Sequence, residues 1–422
     1  MTPEQKISVA GMTSPADENL QRWADAVYWQ RPGTLQLPAS PPLSLYVHLP
    51  WCMRKCPYCD FNSHAVSNGG QLDVVVQDRY LDALRADLQA SLPLVWGRTV
   101  HTVFFGGGTP SLFAPDAIGR LISDIRALLP LEPDAEITLE ANPGTFETSR
   151  FKAFAEAGVT RLSVGVQSFD DVMLSAIGRV HDGAQAEAAV EEAAQNFQTF
   201  NLDLMYALPG QSLAQCAEDV RRALSFKPPH LSLYHLTIEP NTFFAKHQPG
   251  GLPDDDDAYA MLDMIEAETA VAGMDRYEVS ALARAGHRCR HNLNYWQFGD
   301  YLGIGAGAHS KLSFAHKVVR QVRWREPTLY MDKALTGSPV TMVEPVSRRD
   351  LPFEFMLNAL RLRDGFAMQW FVERTGLPLS ALDAGLALGQ EKGWLELDAG
   401  WVKPTASGFD FLSDLQAAFL PE

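Results

Sequence analysis

Short β-branched or aromatic runs alternate with longer amphipathic segments from residue 43 onward, and this alternation predicts repeated βα units around a parallel sheet. Segment 78–92 is predicted to be a helix because leucines recur in it at helical spacing, and segment 254–273 because aspartates begin it. The predicted strands suggest a partial (β/α)6 barrel and cover residues 43–49, 100–105, 136–141, 160–166, 200–206 and 230–236.

The chain outside the βα repeats divides into three further parts. Residues 1–42 are polar and then rich in proline, so they are predicted to be an N-terminal extension before a core at 43–285. A connecting region follows at 286–345, and residues 346–422 carry helical apolar spacing and strand-like turns, which predict a winged-helix-like α+β domain. Its few basic residues argue against DNA recognition, so we expect a lid or a docking surface in which Trp370 and Phe371 pack.

Three cysteines lie close together in the chain, with the spacing C-x3-C-x2-C at Cys52, Cys56 and Cys59. A 4Fe-4S cluster normally takes one thiolate per iron, so a loop with three thiols leaves one iron open for an exchangeable ligand. A structural zinc site that also uses His48 or His64 is the alternative. The sparse and odd number of cysteines argues against a disulfide framework.

Polar residues and a glycine turn follow several of the predicted strands. In parallel α/β barrels the functional side chains come from the carboxyl ends of the strands. The turn 106–108, followed by Thr109, allows backbone N–H groups to approach a ligand without a Cβ in the way. Glu140, Gln167 and Asp203 lie at or near the ends of three successive strands. The sequence therefore predicts a ligand pocket with a polar ring at this edge.

Charge and hydropathy exclude some classes of partner. The formal net charge of -16 argues against a general nucleic-acid surface. No apolar segment has the length of a signal peptide core or a transmembrane helix, so we expect no transmembrane segment. An oxygen-sensitive cluster would suit a cytoplasmic location. Nothing in the sequence indicates an oligomeric state.

The cysteine loop, with Tyr58 just before its last cysteine, resembles the signature of radical S-adenosylmethionine (SAM) proteins. In that superfamily the amino and carboxylate groups of SAM chelate the open iron, and an electron from the cluster cleaves SAM to a 5'-deoxyadenosyl radical. The glycine turn is similar to the superfamily's glycine motif, which contacts the amino group of SAM through its backbone. The resemblance therefore implies two cofactors, a 4Fe-4S cluster and SAM.

The motifs GGGTP, LEANPG, RLSVGVQSF, DLMYALPGQ and HNLNYW, in this order, resemble the oxygen-independent coproporphyrinogen III oxidase-like family, and most closely its HemW members. The match begins near residue 43 and leaves the first forty residues outside. For Ser163 and Arg161, a SAM contact and a structural role both stay open. The resemblance implies a SAM site lined by Tyr46, Tyr58, Gly107, Gly108, Thr109, Glu140, Gln167, Arg179 and Asp203.

One position separates the two branches of that family. The coproporphyrinogen dehydrogenases carry a fourth cysteine two residues after the third, whereas this chain has Phe61 there. The difference favours the HemW branch, whose members are heme chaperones that bind heme and pass it to an acceptor protein. The alternatives are an anaerobic coproporphyrinogen III dehydrogenase, which decarboxylates two propionates, and a structural zinc protein.

A heme site needs an apolar slot, an axial ligand and partners for two propionates. The HNLNYW segment makes His291 the first candidate for the axial ligand, with packing against the barrel as the alternative role. His309 is the second candidate. Region 284–296 also offers further ligands and carboxylate partners in His287, Cys289, Arg288 and Arg290.

Overall fold

The computed structural model describes residues 15–66, 72–144 and 149–421. Their strands are β1 Leu43–Leu49, β2 Trp51–Cys52, β3 His64–Ala65, β4 Val100–Gly107, β5 Leu131–Ala141, β6 Arg161–Gln167, β7 Thr199–Tyr206, β8 His230–His235, β9 Asp275–Arg276, β10 Ala281–Ala283, β11 Asp300–Ile304, β12 His309–Phe314, β13 Lys317–Arg323, β14 Val340–Pro345, β15 Phe366–Ala367, β16 Leu395–Asp398 and β17 Trp401–Pro404.

The two helices predicted from the sequence, at 78–92 and 254–273, are present as α3 and α10. The α-helices are α1 Pro15–Gln21, α2 Ala26–Trp29, α3 Val74–Val95, α4 Pro115–Leu128, α5 Phe151–Glu156, α6 Asp171–Ala176, α7 Gly183–Asn196, α8 Leu213–Ser225, α9 Phe243–Lys246, α10 Asp255–Val271, α11 Arg290–Trp296, α12 Pro327–Leu335, α13 Leu351–Ala359, α14 Met368–Thr375, α15 Asp383–Glu391, α16 Ala406–Asp410 and α17 Leu412–Ala417. Short 3-10 helices span Pro110–Leu112 and Leu379–Leu382. Within the described ranges, no helix combines the length and apolar character needed to cross a membrane.

The six predicted strands are neighbours in the main sheet and parallel to one another, in the order β1-β4-β5-β6-β7-β8. The prediction of a partial (β/α)6 barrel is therefore confirmed. Beyond β1 the sheet continues through β11, which is parallel to β1, and then through the antiparallel strands β12 to β14. Beyond β8 it ends with the antiparallel strands β10 and β9. The barrel is thus an open sheet with additional strands at both edges.

Side-chain alternation in β1 shows how the sheet is filled. Leu43, Leu45, Val47 and Leu49 are buried in the same apolar core as the leucines of α3. The intervening residues face the other side, since successive side chains of a strand alternate. The inward positions of the barrel strands are largely polar, unlike the branched aliphatic layers usual in (β/α) barrels, and include Ser44, Thr102, Glu136, Arg161, Ser163, Asn201, Asp203, His230 and Ser232.

The C-terminal part is a small α+β unit, as predicted, and its apolar core also includes Leu35, Phe298 and Val318 from earlier parts of the chain. Strands β15, β17 and β16 form an antiparallel sheet next to helices α13 to α15. Phe355 lies at the centre, with the ring of Phe371 at 5.3 Å and an interplanar angle of 83°. Trp370 lies at the edge of this core, with its ring 6.0 Å from that of Trp401. This is the helix-and-wing arrangement of a winged-helix-like domain.

Residues 15–42 join the main sheet to the C-terminal part. Trp29 is buried and stacks on Phe314 of β12. The Leu37 N–H donates to the Ala315 carbonyl at 3.0 Å, and the Gln36 N–H donates to the Gly376 carbonyl at 3.4 Å. The extension therefore has a packing role that the sequence did not indicate. The division of the chain at residues 42, 285 and 345 stays a prediction.

Candidate functional site

A cavity of about 380 Å³ lies at the carboxyl ends of the barrel strands. Its volume falls in the range of roughly 300–1,000 Å³ that is usual for small-molecule sites. Tyr46, the remaining predicted cofactor contact, packs behind this lining. The cavity brings together most of the predicted site residues, namely Cys52, Cys56, Tyr58, Cys59, Gly107, Gly108, Thr109, Glu140, Gln167, Arg179 and Asp203.

The cysteine loop is held beside the cavity by backbone hydrogen bonds. The Cys59 N–H donates to the Cys56 carbonyl at 3.2 Å, and the Val66 N–H donates to the Cys52 carbonyl at 2.9 Å. Burial raises the pKa of the Cys52 thiol to about 11 and also raises the pKa of Cys59. Metal ligation requires thiolates, so these partly buried thiols fit a metal centre whose own positive charge deprotonates them.

Among the described residues, the possible zinc ligands do not converge on a single point. In the part of the chain that the structure describes, no group of three or more His, Cys, Asp and Glu side chains is placed to hold one metal ion. Zinc would need its ligands converging at about 2.0–2.3 Å. Both ring nitrogens of His48, one of the two histidines of the zinc alternative, are already engaged, by the Tyr46 hydroxyl at 3.0 Å and the Asn62 carbonyl at 2.9 Å.

The glycine turn is shaped by close packing against β1 and the cysteine loop. Gly107 has φ +117°, and a Cβ there would lie 2.4 Å from His48 Cε1. The Gly107 N–H donates to Glu140 Oε2 at 3.0 Å, while the N–H groups of Gly108 and Thr109 donate to backbone carbonyls at 2.8 and 2.7 Å. The expectation that these N–H groups face a ligand is therefore wrong, because the protein itself already uses them.

Two partly buried carboxyl groups, those of Glu140 and Asp203, face the cavity. Burial, and then the charge of Asp203, raise the pKa of Glu140 to about 8, against the opposing effect of the Gly107 N–H. Burial also raises the pKa of Asp203, although hydrogen bonds from Ser163 and Asn201 oppose this effect. A cationic ligand, or one with hydroxyl groups, would compensate these carboxyl groups on binding.

Arg179 connects the cysteine loop to the strand ends. Its Nη2 donates to Asn142 Oδ1 and to the Gly165 carbonyl, both at 2.7 Å, and its Nη1 lies 3.7 Å from Cys56 Sγ. Asn142 in turn donates to Thr109 Oγ1 at 2.8 Å. Asn142 was missed in the sequence, although it follows Glu140 by two residues in LEANPG and the strand-end rule applies to it equally.

Strand β8 contributes residues that the sequence reasoning also missed. Tyr234 and His235 line the cavity together with Met205 of β7. The predicted strand 230–236 ends at the same edge of the sheet, so the rule that selected Glu140 and Asp203 could have selected them.

Tyr46 was predicted as a cofactor contact, and its ring stacks on Phe104 with the centroids 6.3 Å apart.

His291 lies at the opposite end of the barrel from the cysteine loop. Its side chain is 1% exposed, and burial lowers its pKa to about 3. Its Nδ1 pairs with Thr102 Oγ1 at 2.8 Å and its Nε2 with the Tyr295 hydroxyl at 3.0 Å. The structure therefore does not bring His291 to the cavity, and iron could bind its ring only after one of these hydrogen bonds breaks. Its assignment as a heme ligand stays a prediction.

Most of the other predicted heme contacts are also engaged within the protein. His309 is exposed at the start of β12. The aromatic side chains Tyr295 and Trp296 line a second cavity of about 170 Å³, which is below the usual range for a cofactor. His287 pairs with Thr199, Cys289 with Glu136, Arg288 with Asp364 and Arg290 with Glu132.

Comparison with known proteins agrees with this site. The Radical SAM superfamily profile matches residues 46–223, and the HemN C-terminal domain profile matches residues 346–411. A curated protein of Haemophilus influenzae named "Heme chaperone HemW" is 44% identical over 92% of this chain and 100% of its own length. The chain belongs to the HemW family. An Escherichia coli HemW is also 44% identical, over 90% of this chain and 99% of its own length.

A solved structure resembles the HemW family member described here along nearly all of its length. It is the radical SAM enzyme coproporphyrinogen III oxidase (HemN) from Escherichia coli, with a TM-score of 0.76, 24% identity and coverage of 90% of each chain. At this level of identity the similarity establishes the fold alone. It confirms the predicted radical SAM barrel, and the family assignment made from Phe61 and the ordered motifs is confirmed by the curated relatives.

Proposed function

We propose that this chain is a heme chaperone that carries a SAM-chelated 4Fe-4S cluster, binds heme and passes it to an acceptor protein. One observation carries the proposal: Cys52, Cys56 and Cys59 line a single cavity in which Phe61 occupies the place of a fourth thiol. Curated relatives with the name heme chaperone, at 44% identity, support it. We place the activity in the cytoplasm, because an oxygen-sensitive cluster needs a reducing compartment.

Different residues around the cavity would bind the cluster and SAM. The three cysteines hold the cluster, which when bound supplies a one-electron redox centre with one iron open to SAM. Glu140 and the glycine turn would hold the methionine end of SAM, with Tyr58 and Thr109 beside them in the cavity lining. Because the N–H groups of the turn are engaged, its carbonyl oxygens are the groups that would meet the SAM amino group. Gln167, Arg179 and Asp203 would hold the remainder of the SAM molecule, and Tyr46 packs behind the cavity lining against Phe104.

Heme binding through His291 requires an opening of the barrel end. The Thr102 and Tyr295 hydroxyls occupy its two nitrogens, and the adjoining cavity is too small for a porphyrin. The Thr102 hydroxyl donates to Ser44 Oγ, so it accepts from His291 Nδ1, and the unprotonated nitrogen of the ring is Nε2. If His291 is the axial ligand, Tyr295→Phe should strengthen heme binding because it frees Nε2, whereas His291→Ala should abolish the ligand's spectroscopic signature. Equal heme spectra for the wild-type protein and His291→Ala would exclude His291, and the same titration of His309→Ala would test the second candidate.

The decisive experiment compares heme binding with porphyrin chemistry. Anaerobically reconstituted protein, with its iron and sulfide content measured, is titrated with ferric heme and followed by absorbance. The same preparation is incubated with SAM, a reductant and coproporphyrinogen III, and the products are identified by mass spectrometry. We expect stoichiometric heme binding and no decarboxylated product. Formation of protoporphyrinogen would favour the coproporphyrinogen dehydrogenase, and failure to bind heme would contradict the chaperone.

A further inference from the structure

A continuous chain of hydrogen bonds runs through the barrel interior from the cavity to the HNLNYW helix α11. Asn201 Nδ2 donates to Asp203 Oδ1 at 2.8 Å, and Asn201 Oδ1 pairs with His230 Nδ1 at 2.6 Å. His230 Nε2 pairs with the Tyr277 hydroxyl at 2.8 Å, and that hydroxyl accepts from the Cys289 N–H at 3.3 Å. Asp203 lines the cavity, and Cys289 is the residue that immediately precedes α11. The two ends of the barrel are therefore joined by four consecutive hydrogen bonds.

The protons in this chain all point the same way. Burial lowers the pKa of His230 well below its ordinary value, so its ring is neutral and has one donor and one acceptor. Asn201 Oδ1 can only accept, so His230 Nδ1 carries the proton and Nε2 accepts from the Tyr277 hydroxyl. Each donor is thus directed toward the Asp203 carboxylate. Hydrogen bonds with a common direction polarise and strengthen one another.

The cavity end of the chain is held by two serines. Ser163 Oγ donates to Asp203 Oδ2 at 3.0 Å and accepts from Asn201 Nδ2 at 2.8 Å. Ser232 Oγ donates to Asn201 Oδ1 at 3.0 Å. Both oxygens of Asp203 are therefore oriented by buried partners.

The helix end is held by one carboxylate from β5. Glu136 accepts from the backbone N–H of Arg290 at 3.2 Å and of His291 at 3.0 Å, and Cys289 Sγ lies 3.6 Å from it. The first N–H groups of a helix have no partner within the helix, so this side chain caps α11. Cys289 therefore lies immediately before a helix start that Glu136 holds in place.

We propose that Asn201, His230 and Tyr277 are positioning residues that orient Asp203 for SAM and transmit SAM occupancy to the HNLNYW helix. The inference rests on the proposed function, in which Asp203 is a SAM contact. The sulfonium charge of bound SAM favours the ionised carboxylate, and an ionised acceptor strengthens the donors directed at it. Because coupling between two sites is reciprocal, a change at α11 must in turn change the affinity for SAM.

Hydrogen exchange of the amides of residues 290–296, measured by mass spectrometry with and without SAM, tests the coupling. Reconstituted protein in which SAM binding is confirmed by calorimetry should exchange these amides more slowly when SAM is bound. In Tyr277→Phe, which loses the hydroxyl between His230 and Cys289, the protection should disappear and the SAM affinity should fall by about fivefold, the effect of one typical hydrogen bond. A merely structural role of Tyr277 would change exchange equally with and without SAM.

Tyr330→Phe is the matched control. Its hydroxyl is equally buried and also has two partners, Asp87 at 2.9 Å and the Gly305 N–H at 3.1 Å, but it lies outside the chain to Asp203. This variant should keep the SAM-dependent protection. SAM binding that leaves exchange at 290–296 unchanged in the wild-type protein, or that protects Tyr277→Phe equally, would overturn the inference alone. Absence of SAM binding to protein with an intact cluster would overturn the proposed function together with it.

Discussion

Replacement of Glu140 by Gln should raise the free energy of unfolding of the protein at high pH and lower its affinity for SAM. Glu140 is partly buried beside the cavity, and burial is the largest of the causes that raise its pKa from 4.5 to about 8. An acid whose pKa is raised by folding is neutral in the folded protein at pH values where the unfolded chain is ionised. It therefore favours folding most below pH 4.5, and that contribution is lost as the pH rises toward 8.

The expected size follows from the linkage relation. Between pH 4.5 and 8 the Glu140 group should lower the free energy of unfolding by about 1.4 kcal/mol per pH unit, on the order of 5 kcal/mol at most. Gln keeps an oxygen that can accept from the Gly107 N–H but has no ionisation. Urea unfolding of the cluster-free Glu140→Gln protein should consequently show a flatter pH dependence than the wild-type protein. The variant should be more stable at pH 8, and the two should converge near pH 5.

Folding favours the neutral form of Glu140, whereas SAM binding should favour its ionised form. The sulfonium of SAM favours the ionised carboxylate, so at pH 7 the reconstituted wild-type protein should release about one proton more on binding SAM than Glu140→Gln does. Calorimetry in buffers of different ionisation enthalpy measures this difference, and the variant should bind SAM more weakly. Parallel pH profiles of stability, together with equal proton release, would refute the assignment of Glu140 as a buried acid that ionises for SAM.

Three further substitutions test the parts of the cavity. Cys56→Ala should fail to assemble the cluster, measured as iron and sulfide after anaerobic reconstitution, whereas Cys216→Ala, at a buried thiol in the apolar core, should retain both. Gly107→Ala should destabilise the protein by about 2–4 kcal/mol in urea unfolding, because φ is +117° and the new Cβ meets His48. Arg179→Met, which loses the bonds to Asn142 and Gly165, should weaken SAM binding by about 2 kcal/mol in calorimetry.

The barrel strands were predictable because their signal is local. The predicted run 43–49 coincides with β1, and 200–206 differs from β7 by one residue. Both strands are buried on the face toward the helices, so their apolar residues recur with period two. Strands β12 and β13 were not predicted, since Lys311 and Arg320 interrupt their apolar pattern. Their neighbours Asp300 and Glu354 pair with these cations only in the fold, and such long-range partners leave no periodic signal.

The cavity was more predictable than its supporting groups. The strand-end rule selected Glu140, Gln167 and Asp203 because parallel strands place their carboxyl ends at one edge. It could not select Tyr277, which acts at the other end of the barrel through His230, since the sequence gives no sign of that contact. The same limit applies to heme: the sequence marks HNLNYW as a family motif but does not show that its histidine is already bound on both nitrogens.

The polar interior of the barrel indicates that these residues are present for function. A buried polar group contributes little net stability when its hydrogen bonds are satisfied, and it is costly when they are not. Among the described residues, Arg161 Nη1 is buried without a hydrogen-bond partner, close enough to Asp203 that its charge opposes the rise in that carboxyl's pKa. An apolar interior of the kind usual in (β/α) barrels would avoid this cost. The chain of hydrogen bonds from Asp203 to Cys289 therefore suits a role in orienting the Asp203 carboxylate and linking the two ends of the barrel. Stability alone gives no reason for it.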